Sequence, residues 1–125
     1  MKLQKQAAER GGNIRSLVAN LLEMEQTMKA VCAEMDEHGP FTGLVNCAGI
    51  AKFEPVFETT VSEFDRQYGV NVKPCIYLTQ VVAERLVKQG LTGSICHISS
   101  QSSTLAIKEH LVYSSGKAAV DHVAR

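Results

Sequence analysis

The chain has 125 residues, 45% hydrophobic and 21% charged, which fits one ordinary globular core and leaves no room for a second domain. Lys plus Arg number 13 and Asp plus Glu number 13, so no basic excess draws a phosphate backbone, and nucleic acid is not expected as a main partner. No apolar run approaches the roughly 18 residues of a membrane span, and the polar start Lys2-Leu3-Gln4-Lys5-Gln6 is not that of a signal peptide.

There is no internal repeat and no low-complexity segment. Residues 2–10 read as the end of a polar helix closed by Gly11-Gly12. The segment 14–22, with Leu17-Val18-Ala19, suits a strand. Met24, Met28, Val31 and Met35 form a stripe at helical spacing, an amphipathic helix facing a core. His38-Gly39-Pro40 breaks it, and a second strand follows at 43–48. Thr60-x-x-Glu63 has capping-box spacing, with Phe64 and Tyr68 four apart on the helix it opens. A long apolar helix carries Ile76, Leu78, Val81, Val82, Leu86 and Val87 and stops at Gly90. Residues 93–98 read as a third strand, followed by a Ser-rich loop to about His110. The last helix, from Val112 to Arg125, ends without a cap signal, so the chain is expected to be truncated. Alternating helices and strands predict an α/β fold with a mainly parallel sheet.

The four cysteines, Cys32, Cys47, Cys75 and Cys96, form no C-x-x-C pair, so reduced structural thiols and a cytoplasmic location are expected. His38 and His122 are too isolated to form a metal site, and no metal is expected. His97 reads as a hydrogen-bonded interior imidazole.

The strongest chemical signal is Tyr113-Ser114-Ser115-Gly116-Lys117. Positions i and i+4 share a helix face, and a nearby ammonium stabilises a phenolate, which makes a phenol usable as a general acid or base near neutral pH. Alone, the spacing is weak. Its context is a strand ending in Ser99-Ser100 and a second strand running into Asn46-Cys47-Ala48-Gly49, and strand ends are where open α/β sheets bind ligands.

With these motifs the chain resembles the classical short-chain dehydrogenase/reductases. The asparagine-rich strand end N-N-A-G is present as Asn46-Cys47-Ala48-Gly49, with cysteine at its second position. The helix asparagine is Asn71, the serine is Ser100, and the Y-x-x-x-K pair is Tyr113 and Lys117. Ser99-Ser100-Gln101-Ser102-Ser103 and His110-Leu111-Val112-Tyr113 look most like the L-xylulose and dicarbonyl (carbonyl) reductase branch.

The resemblance implies hydride transfer between a nicotinamide cofactor and a small carbonyl, with NADP favoured over NAD by the branch. Tyr113 would protonate the carbonyl oxygen, Ser100 would hold it, Lys117 would support Tyr113 and grip the nicotinamide ribose, and Asn71 would support a proton-relaying water. Cofactor contacts would come from Asn20, Leu21, Asn46, Ala48, Gly49, Tyr113 and Lys117. Asn20 stands where the family usually has Asp. Ser100, Gln101 and His110 would contact the substrate. Helices matching 71–90 and 112–125 would pair copies into a homo-oligomer.

The resemblance makes residues 1–125 an incomplete domain, a partial Rossmann-like doubly wound parallel sheet holding the third, fourth and fifth strands. The glycine-rich turn T-G-x-x-x-G-x-G, which lets pyrophosphate approach a helix N-terminus, is missing, and Gly11-Gly12 does not replace it. The C-terminal strands and lid are missing too. The 125-residue chain alone is therefore expected to be inactive, and the alternative is a non-catalytic short form acting through its dimer helices. In the order 3-2-1-4-5-6, two absent strands separate the segment at 14–21 from the strand at 43–48 by about 14 Å at ~4.8 Å per strand. That first strand then either stands without neighbours or collapses onto the second.

Overall fold

The computed structural model describes residues 2–125; Met1 lies outside the described residues. The elements in chain order are α1 (Lys2–Glu9), α2 (Met24–His38), β1 (Gly43–Asn46), α3 (Val61–Asn71), α4 (Lys73–Lys88), β2 (Ser94–His97) and α5 (Leu111–Val123). Short 3-10 turns at Val56–Glu58 and Gln101–Ser103 complete the chain.

β1 and β2 pair in parallel, with Gly43 opposite Ser94 and Asn46 opposite His97. The Ile98 N–H donates to the Asn46 carbonyl at 2.9 Å and extends the ladder to the strand ends. Parallel strands need a crossover, which α3 and α4 supply. Half of the expected capping box forms: the Thr60 side-chain oxygen accepts from the Glu63 N–H at 3.2 Å, while the Glu63 carboxylate turns to Arg66 instead of back to the Thr60 N–H. Pro74 stands in the first turn of α4, where it has no N–H to continue the α3 ladder, so one apolar stretch becomes two helices meeting at Val72.

Two apolar clusters hold these layers together. Met35 of α2 packs with Val81, Val82 and Leu86 of α4, with Met28, Val31 and Leu44 against them. The methionine stripe is therefore core. Val72 and Cys75 meet Val120 of α5, flanked by Tyr68 and Ala119. Burial pushes the Cys75 thiol up from its ordinary value, and the Lys117 charge opposes that rise.

The expected strand at 14–21 does not form. Residues 13–20 are irregular and exposed, Val18 at 99%, and among the described residues the sheet has two strands. A strand is stable only when a neighbour takes its backbone groups, and this segment has no strand beside it. The segment does not collapse onto β1, whose described strand partner is β2. Arg15 pairs with Glu34 of α2 at 3.1 Å, and Thr27 Oγ1 donates to the Asn20 carbonyl at 3.0 Å, which ties both ends of the segment to α2. No described helix is long and apolar enough to cross a membrane.

Candidate active site

α5 carries Tyr113 and Lys117 one turn apart, as the spacing predicts. Lys117 is 5% exposed, and its Nζ donates to the Ile98 carbonyl at 2.7 Å. The same ammonium lies 5.8 Å from the centre of the Tyr113 ring. A charge this buried persists only with such partners. Ser99 Oγ donates to the Lys117 carbonyl at 3.2 Å, so the end of β2 holds α5 at two points.

Asn71, the last residue of α3, is 2% exposed and is locked to one backbone unit. Its Oδ1 accepts from the Ile50 N–H at 2.8 Å, and its Nδ2 donates to the Ile50 carbonyl at 2.8 Å. This pins the loop after β1 and sets Gly49 against the site. A Cβ on Gly49 would stand 3.5 Å from Asn71 Oδ1 and 3.7 Å from Lys117 Nζ. Gly49, Asn71 and Lys117 thus form one cluster.

Ser100 opens the 3-10 turn. Its Oγ accepts from the Ser102 N–H at 3.2 Å and from the Ser102 hydroxyl at 2.9 Å. Both bonds use its lone pairs, so its own O–H remains to donate to a ligand. The turn packs on α5, where hydrogen bonding, from the Ser103 hydroxyl first, holds the Asp121 carboxyl below the usual carboxylate range.

Of the remaining predicted residues, Leu21, Asn46 and Ala48 line one cavity of about 200 Å³ with Cys47 and Cys75. Asn46 Nδ2 lies 3.0 Å from His97 Nδ1, so His97 is hydrogen-bonded as expected, but at the end of β2 it is half-buried rather than interior. Asn20 is not part of that cavity lining: its Oδ1 accepts from the Leu22 N–H at 3.1 Å and its Nδ2 donates to Glu23. His110 stacks on Phe53 with ring centres 3.9 Å apart, and both stand edge-on to Tyr113, at 6.4 and 5.9 Å. Gln101 is exposed and takes no part in this aromatic group. Phe53 was not legible from spacing, because an isolated aromatic in a loop has no period to place it. Among the described residues no group of three or more metal-ligating side chains occurs.

A parallel sheet crossed over by helices, with a buried lysine and a tyrosine at its strand ends, defines a Rossmann-type α/β domain. The short chain dehydrogenase profile matches residues 1–125. D-erythrulose reductase of Gallus gallus is 36% identical over 112 residues, covering 90% of this chain and 44% of that protein. L-xylulose reductase of Homo sapiens is also 36% identical over 112 residues, with the same 90% and 44% coverage. A gluconate 5-dehydrogenase from Burkholderia cenocepacia, solved with NADP and tartrate, superposes with a TM-score of 0.88 at 25% identity over 98% of this chain and 48% of that one. The chain belongs to the short-chain dehydrogenase family. It spans about half the length of the relatives it matches.

Proposed function

We propose that this chain carries the proton-transfer half of a nicotinamide-dependent carbonyl reductase acting on small ketoses, ketones or dicarbonyls. The observation that carries the reading is the buried Lys117 ammonium, fixed to Ile98 and standing beside Tyr113. When bound, a reduced nicotinamide supplies the hydride. Tyr113 donates its phenolic proton to the substrate oxygen, and the Lys117 charge stabilises the phenolate left behind. Ser100, with its O–H uncommitted, donates to the same oxygen and holds it. Asn71 keeps the Gly49 loop in place and supports the proton path to Lys117.

Cofactor contacts on this chain fall to Leu21, Asn46, Ala48, Gly49, Tyr113 and Lys117. The cavity shared by Leu21, Asn46 and Ala48, and the space a Cβ on Gly49 would fill, suit the nicotinamide end of NADP or NAD. No strand and glycine-rich turn within residues 2–125 supplies the pyrophosphate cradle, so the chain by itself binds the cofactor weakly and does not turn over. The helices at 71–90 and 112–125, the first with Ile76 and Val87 exposed, supply the association surface of a homo-oligomer. The open segment at 13–20 favours a second reading, a non-catalytic form acting through those helices.

The test is a chimera in which these residues replace the matching stretch of human L-xylulose reductase. It is expected to oxidise NADPH when given a small ketose. A folded chimera that binds NADPH but reduces no carbonyl would support the non-catalytic reading.

A further inference from the structure

His97 stands directly opposite Asn46 where β1 and β2 end, and the two side chains meet across the ladder. Asn46 Nδ2 is 3.0 Å from His97 Nδ1. An amide nitrogen can only donate, so Nδ1 is the bare acceptor and Nε2 carries the proton of the neutral ring. A charged ring has protons on both nitrogens, and the same contact would then set donor against donor. Beneath these side chains the backbone is fixed. The Ile98 N–H donates to the Asn46 carbonyl at 2.9 Å, and the Ile98 carbonyl accepts from Lys117 Nζ at 2.7 Å. The Asn46 amide is the part free to adjust. Its Oδ1 has no hydrogen-bond partner among the described residues and is not sealed from solvent. Asn46 is only 8% exposed, and it lines the cavity of about 200 Å³ with Leu21 and Ala48.

Few titratable groups face this strand end. β1 carries none. From α5 come Lys117, committed to the Ile98 carbonyl, and Asp121, held by Ser103. From α4 comes Cys75, whose thiol burial pushes up, and Cys47 follows β1 on the cavity wall.

We propose that the His97–Asn46 pair is a proton-operated switch that sets the polarity of this cavity. With His97 neutral, Asn46 donates from Nδ2 to the ring and turns Oδ1 to the cavity. When Nδ1 takes a proton from solvent, the amide turns over about its Cβ–Cγ bond and Oδ1 accepts from the new Nδ1–H. The cavity then faces the Nδ2 donors. A ligand group lying against Asn46 meets an acceptor near neutral pH and a donor in acid. The switch depends neither on a bound cofactor nor on the carbonyl reading above, because His97 and Asn46 carry it by themselves.

The test is nitrogen–proton NMR of the full chain at pH about 8 and about 5, on either side of the ordinary imidazole range. At the higher pH, His97 is expected to be protonated at Nε2 alone, with a coupling through the hydrogen bond from Asn46 Nδ2 to the bare Nδ1. At the lower pH that coupling is lost, Nδ1 carries a proton, and the Asn46 amide protons shift in step with the ring. The Ile98 N–H stays protected from exchange at both. In His97→Asn, whose amide can offer an oxygen at either pH, the Asn46 amide protons should no longer respond. A ring protonated at Nδ1 at the higher pH, or Asn46 amide protons that ignore the His97 titration, overturns the switch. So does loss of Ile98 protection at the lower pH, because the strand ends then part instead of the amide turning. A response that survives in His97→Asn puts the proton on another group, such as Cys47, and overturns it as well. The tautomer, the coupling and the protection are read on the unsubstituted chain, so they decide the matter even where that variant fails to fold.

Discussion

The Lys117 ammonium donates a hydrogen bond to the carbonyl oxygen of Ile98 at 2.7 Å, which joins the middle of α5 to the residue just past β2. One bond therefore fixes both the height of the helix against the strand ends and the position of the charge beside Tyr113. Lys117→Met keeps the length of the stem, removes the donor and strands the Ile98 carbonyl. It is expected to cost about 1–3 kcal/mol, read from urea unfolding. An unchanged midpoint would mean that the bond does not hold α5 in place.

Two glycines should respond in opposite ways to alanine. A Cβ on Gly93 would meet Leu86 Cδ1 at 2.5 Å and the Thr42 carbonyl oxygen at 2.7 Å, and the backbone atom cannot step aside. Gly93→Ala is expected to cost about 1–3 kcal/mol through overpacking. At Gly116 the nearest atom is Val72 Cγ2 at 3.6 Å, an ordinary contact inside a helix. Gly116→Ala is expected to be neutral or to stabilise by up to about 1 kcal/mol. Thermal unfolding of the two variants separates the cases.

Glu63 sets an acid limit. Its carboxylate receives Arg66 at 2.7 and 3.0 Å, and this pairing holds its carboxyl below the usual range. A group whose folded value is lowered contributes stability above its unfolded value and loses it as pH falls through the folded one. Stability should therefore decline from about pH 4.5 downward, and Glu63→Gln should make the decline shallower. Urea midpoints taken across that range check the sign, and an equally steep decline in Glu63→Gln would contradict it.

The amides of residues 13–20 should exchange with solvent far faster than those of β1 and β2, because no ladder protects them. Hydrogen exchange read by mass spectrometry gives the comparison directly. Protection equal to that of β1 would mean that the segment pairs as a strand after all.

What could be read from sequence was whatever repeats or caps. Met24, Met28, Val31 and Met35 announce α2 by their period, Thr60 and Glu63 announce the start of α3, and Tyr113 and Lys117 announce a shared helix face. The segment at 14–21 looked like a strand because Leu17-Val18-Ala19 has the composition of one. Strand formation depends on a neighbour, which no local pattern encodes. The same limit hides the Ile98 and Ile50 backbone groups, whose roles do not depend on their side chains. It also hides Phe53, whose partner His110 lies more than fifty residues along the chain.

The central claim is that Tyr113 is the proton donor of a carbonyl reductase site. In the chimera with human L-xylulose reductase, Tyr113→Phe removes one oxygen and leaves the ring against Phe53 and His110. Steady-state reduction of a small ketose by NADPH is expected to fall by roughly 100-fold or more in turnover, with NADPH binding little changed. Turnover within a few-fold of the unsubstituted chimera would contradict the account.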